Sequence, residues 1–191
     1  MRKSRQEAAT TRQNIVEAAS AEFRSKGIDG TSLADLMAAA GLTHGGFYKH
    51  FESKEQVVEE SLALAADSMV ESWKRTFAAA SEKRGLDTAI AEYLSNDHRD
   101  DLAAGCPFAA LGSEVAHGSD SLREATTKGF LKMIDTIAGQ LDGVSAAAAK
   151  KEALWLLSAM VGAVTMARVV TDPALSATIL QQARKHLARP S

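Results

Sequence analysis

The sequence predicts an all-α protein with three short helices at its N-terminus and a larger helical domain after them. Only three of the 191 residues are proline, and apolar residues recur at spacings of three and four along most of the chain. No stretch alternates polar and apolar residues for long enough to predict a sheet. We place the boundary between the two parts at residues 1–53 and 54–191.

The first two helices follow from apolar faces and terminal residues. The first is expected to begin near Arg12 and to end at Gly27, just after Lys26. The second follows a capping box formed by Ser32 and Asp35. Gly41 supplies the left-handed conformation that ends this helix in a tight turn.

A third, short helix is expected after Thr43, which can cap it. Phe47 and Phe51 lie one turn apart and are expected to point inward. Ser53 and Gln56 form another capping box, which opens a long fourth helix.

Two adjacent glycines lie inside this third helix. Gly45 and Gly46 each cost roughly 1 kcal/mol relative to alanine there. Close approach of the backbone to DNA would offset that cost, and so would relief of crowding against a neighbouring helix.

This arrangement of two helices around a turn predicts a DNA-binding surface. In a helix-turn-helix the first residues of the second helix meet base edges in the major groove. Hydroxyl, imidazole and ammonium donors close to it suit phosphate oxygens. The predicted DNA-binding residues are Ser32, Thr43, His44, Gly45, Gly46, Tyr48, Lys49, His50 and Lys54.

The N-terminal part of the chain is positively charged, as DNA binding favours, although the whole chain is slightly negative. The chain carries a net charge of −2, but residues 1–54 hold eight Lys and Arg against six Asp and Glu. The first residues include Arg2, Lys3 and Arg5. They either approach a neighbouring groove or form a solvated tail.

Residues 11 to about 65 resemble the DNA-binding domain of TetR-family transcriptional repressors. The match is carried by Gly41-Leu42-Thr43 and above all by the run Phe47-Tyr48-x-His50-Phe51-x-Ser53-Lys54-Glu55. The resemblance implies a homodimer in which the last two long helices of each subunit form a four-helix interface. It also implies a palindromic double-stranded DNA operator, and a C-terminal domain that binds a small molecule and thereby releases the DNA. With glycine at both 45 and 46, few side chains remain for base contacts, which leaves room for recognition of DNA shape.

The C-terminal part is expected to contain several long helices. One begins at Lys54, a second is capped by Asp87, and later helices run over residues 120–141 and from Ser145 to about 170. Asp172 and Pro173 open the last. The apolar segment 153–170 is a little short for a membrane span, so we expect a helix buried partly in its own domain and partly against a partner subunit, and no membrane contact.

Large, adaptable side chains of this part are candidates for a ligand pocket, although each is also a common core residue. The predicted pocket residues are Met69, Trp73, Phe77, Phe108, Leu111, Phe130, Met133, Trp155 and Met160.

Cys106 precedes Pro107, at the N-cap of a predicted helix. A thiol in that position would have a lowered pKa and could sense electrophiles or oxidants; alternatively, it is a small buried hydrophobe. A redox sensor acting through Cys106 without a reversible ligand is therefore the alternative to a ligand-released repressor.

Other functions find less support. The sequence has no phosphate-binding loop, nucleophile motif or cluster of metal ligands, so we expect no enzymatic activity, metal or cofactor. An interaction module whose helices pack against a protein is a further alternative. One cysteine and an N-terminus without an apolar core suit the cytoplasm.

Overall fold

The computed structural model describes residues 5–80 and 84–188, and its secondary structure over these ranges is helical. The all-α prediction is confirmed. Arg2 and Lys3 of the predicted basic arm lie outside the described residues. The helices are α1 (Arg5–Lys26), α2 (Leu33–Ala39), a 3-10 helix (His44–Lys49, hereafter the 44–49 helix), α3 (Lys54–Ala79), α4 (Gly85–Tyr93), α5 (Asn96–Asp100), α6 (Pro107–Ala116), α7 (Asp120–Ala138), α8 (Ala146–Val169) and α9 (Pro173–Leu187).

The ends of the first two helices are close to the prediction. Gly27 and Gly41 have φ values of 83° and 70°, in the left-handed region that favours glycine. The capping box of Ser32 and Asp35 is present in both directions. The predicted start near Arg12 is wrong, since α1 already begins at Arg5. Residues 5–11 are mostly good helix formers and extend the helix without an apolar face.

The third helix differs from the prediction in type and in capping. It is a 3-10 helix, and the Thr43 side chain makes no capping hydrogen bond. Two glycines weaken an α-helix here, and short 3-10 segments are common connectors. Ser53 does cap α3, but Gln56 accepts from the Glu52 amide instead of completing the predicted capping box.

In the C-terminal part, several helix boundaries are as predicted and others shift. Ser145 caps α8, and Asp172 caps α9 with Pro173 at its start. Asp87 lies inside the first turn of α4 and is not its cap, because α4 begins at Gly85. The five-residue helix α5 was not predicted, because it is too short to show a periodicity.

The buried side chains form two clusters that meet within α3. The N-terminal cluster joins α1, α2, the 44–49 helix and α3 up to Leu62, and the C-terminal cluster begins at Ala66. Leu111, Val115 and Leu122, from α6 and α7, pack into the N-terminal cluster. A boundary at 53/54 stays a prediction; α3 contributes to both cores.

Candidate DNA-binding surface and its link to the C-terminal helices

The 44–49 helix has one anchored side and one exposed side. Phe47 is fully buried, and its ring lies 5.6 Å from that of Phe51, centroid to centroid. Tyr48 is 68% exposed, and Lys49 is exposed beside it. Two aromatic rings thus hold the helix to the core while its polar side chains face solvent.

The other residues predicted for this helix are also accessible. Thr43, His44 and Gly45 are exposed, and Gly46 and His50 are half-buried. The structure therefore brings this part of the predicted set together on one short segment, with the hydroxyl, imidazole and ammonium donors that phosphate contacts use.

Neither glycine of this helix is required by the packing of the chain itself. A Cβ at Gly45 would meet no atom within 4 Å, and one at Gly46 would lie 3.4 Å from the flexible end of Met37. Neither residue has a positive φ. Relief of crowding, one of the two explanations for the glycines, therefore does not account for Gly45.

Two further predicted DNA-binding residues are engaged within the protein. The Ser32 hydroxyl makes the capping bonds of α2. The Lys54 ammonium donates to the Ile28 carbonyl at 2.5 Å and lies 5.9 Å from the Phe23 ring centroid. Lys54 therefore ties α3 to the loop after α1.

Contacts of α1 and the loop after it with α6 and the segment before α6 link this surface to the rest of the molecule. Arg24 donates from Nη1 to the Gly105 carbonyl at 2.9 Å. Glu114, on α6, accepts through Oε2 from the amides of Ile28 and Asp29, at 2.7 and 3.2 Å. The sequence could not reveal these pairs, because their members lie more than eighty positions apart. Through them, movement of α6 would reach the segment that leads into α2.

The segment before α6 is held by a half-buried histidine, His98. His98 contacts the Tyr93 carbonyl through Nδ1 at 2.6 Å, and its Nε2 accepts from the Cys106 amide at 3.0 Å. The ring is therefore neutral, with its proton on Nδ1. Burial lowers the pKa of His98, and the Arg168 guanidinium lowers it further.

Cys106 occupies the predicted N-cap position of α6, where the sequence left open a low-pKa thiol or a small buried hydrophobe. The residue is fully buried, and this burial raises the pKa of its thiol. The Tyr93 hydroxyl and the amides of Ala109 and Phe108 oppose the shift without reversing it. Of the two alternatives, the structure favours the small buried hydrophobe over the low-pKa thiol, because desolvation of the thiolate outweighs the helix N-terminus.

The predicted pocket residues are mostly packed side chains. Trp73, Met133 and Met160 are buried in the C-terminal core. Leu111 belongs to the N-terminal cluster, and Trp155 is 53% exposed on α8. The prediction that Leu111 and Trp155 line the pocket is corrected. Leu111 packs against α1, and Trp155 faces solvent. The remaining four, which are half-buried against the C-terminal core, are Met69, Phe77, Phe108 and Phe130.

The open clefts found in the described part of the chain adjoin α5 and not the predicted pocket residues. One, of about 570 Å³, is lined by residues that include Glu92, Asp97, His98 and Asp101. Another, of about 440 Å³, lies between α5, α8 and the start of α9. The first is large enough for a small ligand and touches His98, which holds the segment before Cys106.

Comparison with known proteins identifies the family. Residues 15–61 match the family described as "Bacterial regulatory proteins, tetR family", and residues 84–186 match "Transcriptional regulator LmrA/YxaF-like, C-terminal domain". The crystal structure of a TetR transcriptional regulator from Chloroflexus aurantiacus is 30% identical, with a TM-score of 0.77 over 95% of this chain and 94% of that one.

The chain belongs to the TetR family of transcriptional regulators.

The curated TetR-family relatives match about a third of this chain. The HTH-type transcriptional regulator AcrR of Shigella flexneri is 39% identical over 37% of this chain and 33% of its own length. The probable acrEF/envCD operon repressor of Escherichia coli strain K12 is 41% identical over 31% of this chain and 27% of its own length. The match thus spans about a third of these relatives.

The last two helices of this TetR-family chain carry an exposed apolar face. Trp155, Gly162, Met166 and Val169 recur at spacings of seven, four and three on α8, and so share one side. Leu175, on α9, is 47% exposed.

By length and composition α8 could cross a membrane, and 33% of its most apolar stretch is buried within the chain. Core helices of soluble proteins meet the same criterion.

His98 should make the stability of this TetR-family protein depend on acidity. Because its folded pKa lies below its ordinary value, the unfolded chain binds a proton that the folded chain does not. The resulting loss of folding stability is small at neutral pH. It grows as the pH falls through the ordinary pKa of histidine, until the lowered pKa of the folded state is reached. His98→Gln should reduce the free energy of unfolding at about pH 7.5 by roughly 1–3 kcal/mol, since a glutamine amide cannot reproduce both hydrogen bonds of the ring, with the Tyr93 carbonyl and the Cys106 amide.

The same variant should lose less stability than the wild type between about pH 7 and pH 5. Urea denaturation at several pH values measures both effects. His186→Gln, at an exposed position of α9, serves as the control and should keep the wild-type slope. A His98→Gln profile as steep as that of the wild type would contradict the assignment.

Proposed function

We propose that the chain is a homodimeric repressor that binds a palindromic DNA operator through the 44–49 helix of each subunit. The observation that carries the proposal is this helix, which Phe47 anchors while Tyr48 and Lys49 remain exposed. A polar, accessible segment of this kind suits the major groove and the phosphates beside it. The relatives are transcriptional regulators, and we propose regulation in the cytoplasm without enzymatic activity.

Salt dependence tests this against a helix-turn-helix that packs on a protein. Lys49→Met should weaken operator binding and lower the slope of log affinity against log salt concentration by about 1, because one phosphate contact is lost. Fluorescence anisotropy with a duplex enriched by the wild-type protein from a random pool measures the slope. Lys128→Met, the same charge change on α7, should leave it unaltered. A wild-type affinity insensitive to salt would favour the protein-packing alternative.

Substitution of Gly45 should raise the stability of the free protein and lower its affinity for the operator. Gly45→Ala adds a methyl group into open space, so the free energy of unfolding should rise by up to about 1 kcal/mol. Operator affinity should fall if the backbone approaches DNA closely at this point. Thermal unfolding and anisotropy measure the two effects. A variant that gains stability and binds the operator as well as the wild type would show that no close approach occurs.

The proposed dimer interface is the apolar face of α8 and α9. Side chains such as Trp155, Met166 and Val169 are each more than half exposed in the single chain. Contiguous exposed apolar residues on two neighbouring helices are typical of an isologous interface. The resemblance of the chain to TetR-family dimers supports the same face.

Charge placed on that face should separate the subunits. Met166→Asp should favour the monomer, because an aspartate at the interface would be desolvated without a partner. Leu131→Asp is the matched control, since Leu131 is 52% exposed but lies on α7. Sedimentation equilibrium of both variants measures the association. Equal dimer affinity in Met166→Asp and the wild type would place the interface elsewhere.

We further propose that a reversibly bound small molecule is the inducer. The cleft beside His98 and the contacts of Arg24 and Glu114 support a path from a ligand to α1. The alternative, a redox sensor at Cys106, requires an accessible thiolate. Burial of the thiol and its raised pKa favour the reversible ligand.

A further inference from the structure

Arg12, on α1, contacts three parts of the N-terminal domain at once. Its Nε donates to the His50 carbonyl at 3.3 Å, directly after the 44–49 helix. Its Nη1 and Nη2 donate to the two carboxylate oxygens of Glu60, on α3. Its guanidinium carbon lies 4.5 Å from the centroid of the Phe51 ring.

These contacts use the particular shape of a guanidinium group. The donors lie in the plane of the group and reach His50 and Glu60, while its central carbon lies over the Phe51 ring. A lysine ammonium carries charge but can neither stack in this way nor bind a carboxylate with two parallel hydrogen bonds. The position therefore depends on arginine for its geometry as well as for its charge.

The contribution of this ion pair to stability is expected to be small. The side chains of Arg12 and Glu60 are 36% and 32% exposed, and pairs of that exposure stabilise a fold only modestly. Its location matters more. The residues between the 44–49 helix and Ser53 are not helical, so the end of that helix is held by the buried aromatic rings and by Arg12.

We propose that Arg12 and Glu60 are positioning residues for operator binding. Glu60 orients the Arg12 guanidinium, which holds the His50 carbonyl and the Phe51 ring, and so sets the direction in which Tyr48, Lys49 and His50 face the DNA. The inference rests on the proposed DNA binding by the 44–49 helix. It goes beyond it by assigning a role to two residues that need not touch DNA.

The direction in which Glu60→Gln changes operator affinity separates this positioning role from a phosphate contact and from a purely structural role. Glu60→Gln removes a negative charge from a DNA-binding domain, so electrostatics alone predicts tighter binding. If Arg12 served as a phosphate contact, its release from Glu60 would also strengthen binding. If the pair only stabilised the fold, binding would be unchanged at a temperature where the variant is folded. Positioning alone predicts weaker operator binding.

The experiment uses the full chain and a duplex that the wild-type protein enriches from a random pool. Anisotropy is recorded for this duplex and for an unrelated duplex, at a temperature where circular dichroism shows each variant folded. Glu60→Gln and Arg12→Lys are each expected to weaken operator binding about tenfold, as the loss of a charge-assisted pair allows. Binding to the unrelated duplex should be unchanged or slightly tighter, so the ratio of the two affinities falls.

Glu22→Gln is the matched control. Glu22 lies on α1, as Arg12 does, and pairs with Lys26, so Glu22→Gln also removes one negative charge and one ion pair from the N-terminal domain. Its operator affinity should not fall.

Each contrary result has a distinct meaning. Operator binding by Glu60→Gln that equals or exceeds that of the wild type overturns the positioning role. An equal loss for the operator and the unrelated duplex also overturns it, because the effect would then be unrelated to recognition. Failure of the wild-type protein to enrich any duplex overturns the proposed function itself, and the positioning role with it.

Discussion

Burial of Phe47 and Phe51 is the interaction on which the DNA-binding surface depends. A six-residue 3-10 helix that contains two glycines cannot hold its shape in water by its own hydrogen bonds. Burying one phenylalanine side chain contributes roughly 1.5–3 kcal/mol, and these two residues lie within the core that α1 and α3 share. The helix therefore takes its orientation from its neighbours, and the contacts of Arg12, on α1, with the His50 carbonyl and with Glu60, on α3, lie at its end.

The same core reaches into the C-terminal helices. Leu111 and Val115 of α6 pack into it, and Glu114, between them, binds the loop after α1. One helix thus has an apolar and a polar contact with the segment that leads to α2. The proposed inducer would therefore not need to approach the DNA-binding surface, but only to move α6 or the segment before it.

That segment is tightly packed, and this accounts for the behaviour of Cys106. A Cβ at Gly105 would lie 2.6 Å from the Asp101 carbonyl oxygen and 2.7 Å from Nη2 of Arg168, so only glycine fits. Arg168 also donates to the carbonyls of His98 and Arg99, at 2.9 Å in each case. With the backbone enclosed in this way, the neighbouring thiol has no solvent to stabilise its charge, and its pKa rises.

The sequence by itself determined the all-helical class, the capping box of Ser32, the left-handed turns at Gly27 and Gly41, and the inward direction of Phe47 and Phe51. Each of these follows from residues within one or two helical turns, where spacing and backbone preference decide. The tertiary structure alone decided the burial of Cys106, the exposure of Trp155, the engagement of Lys54 with the Ile28 carbonyl, and the contacts of Arg12 and Glu114. These depend on which distant helix lies beside each side chain, and no local pattern encodes the identity of that neighbour.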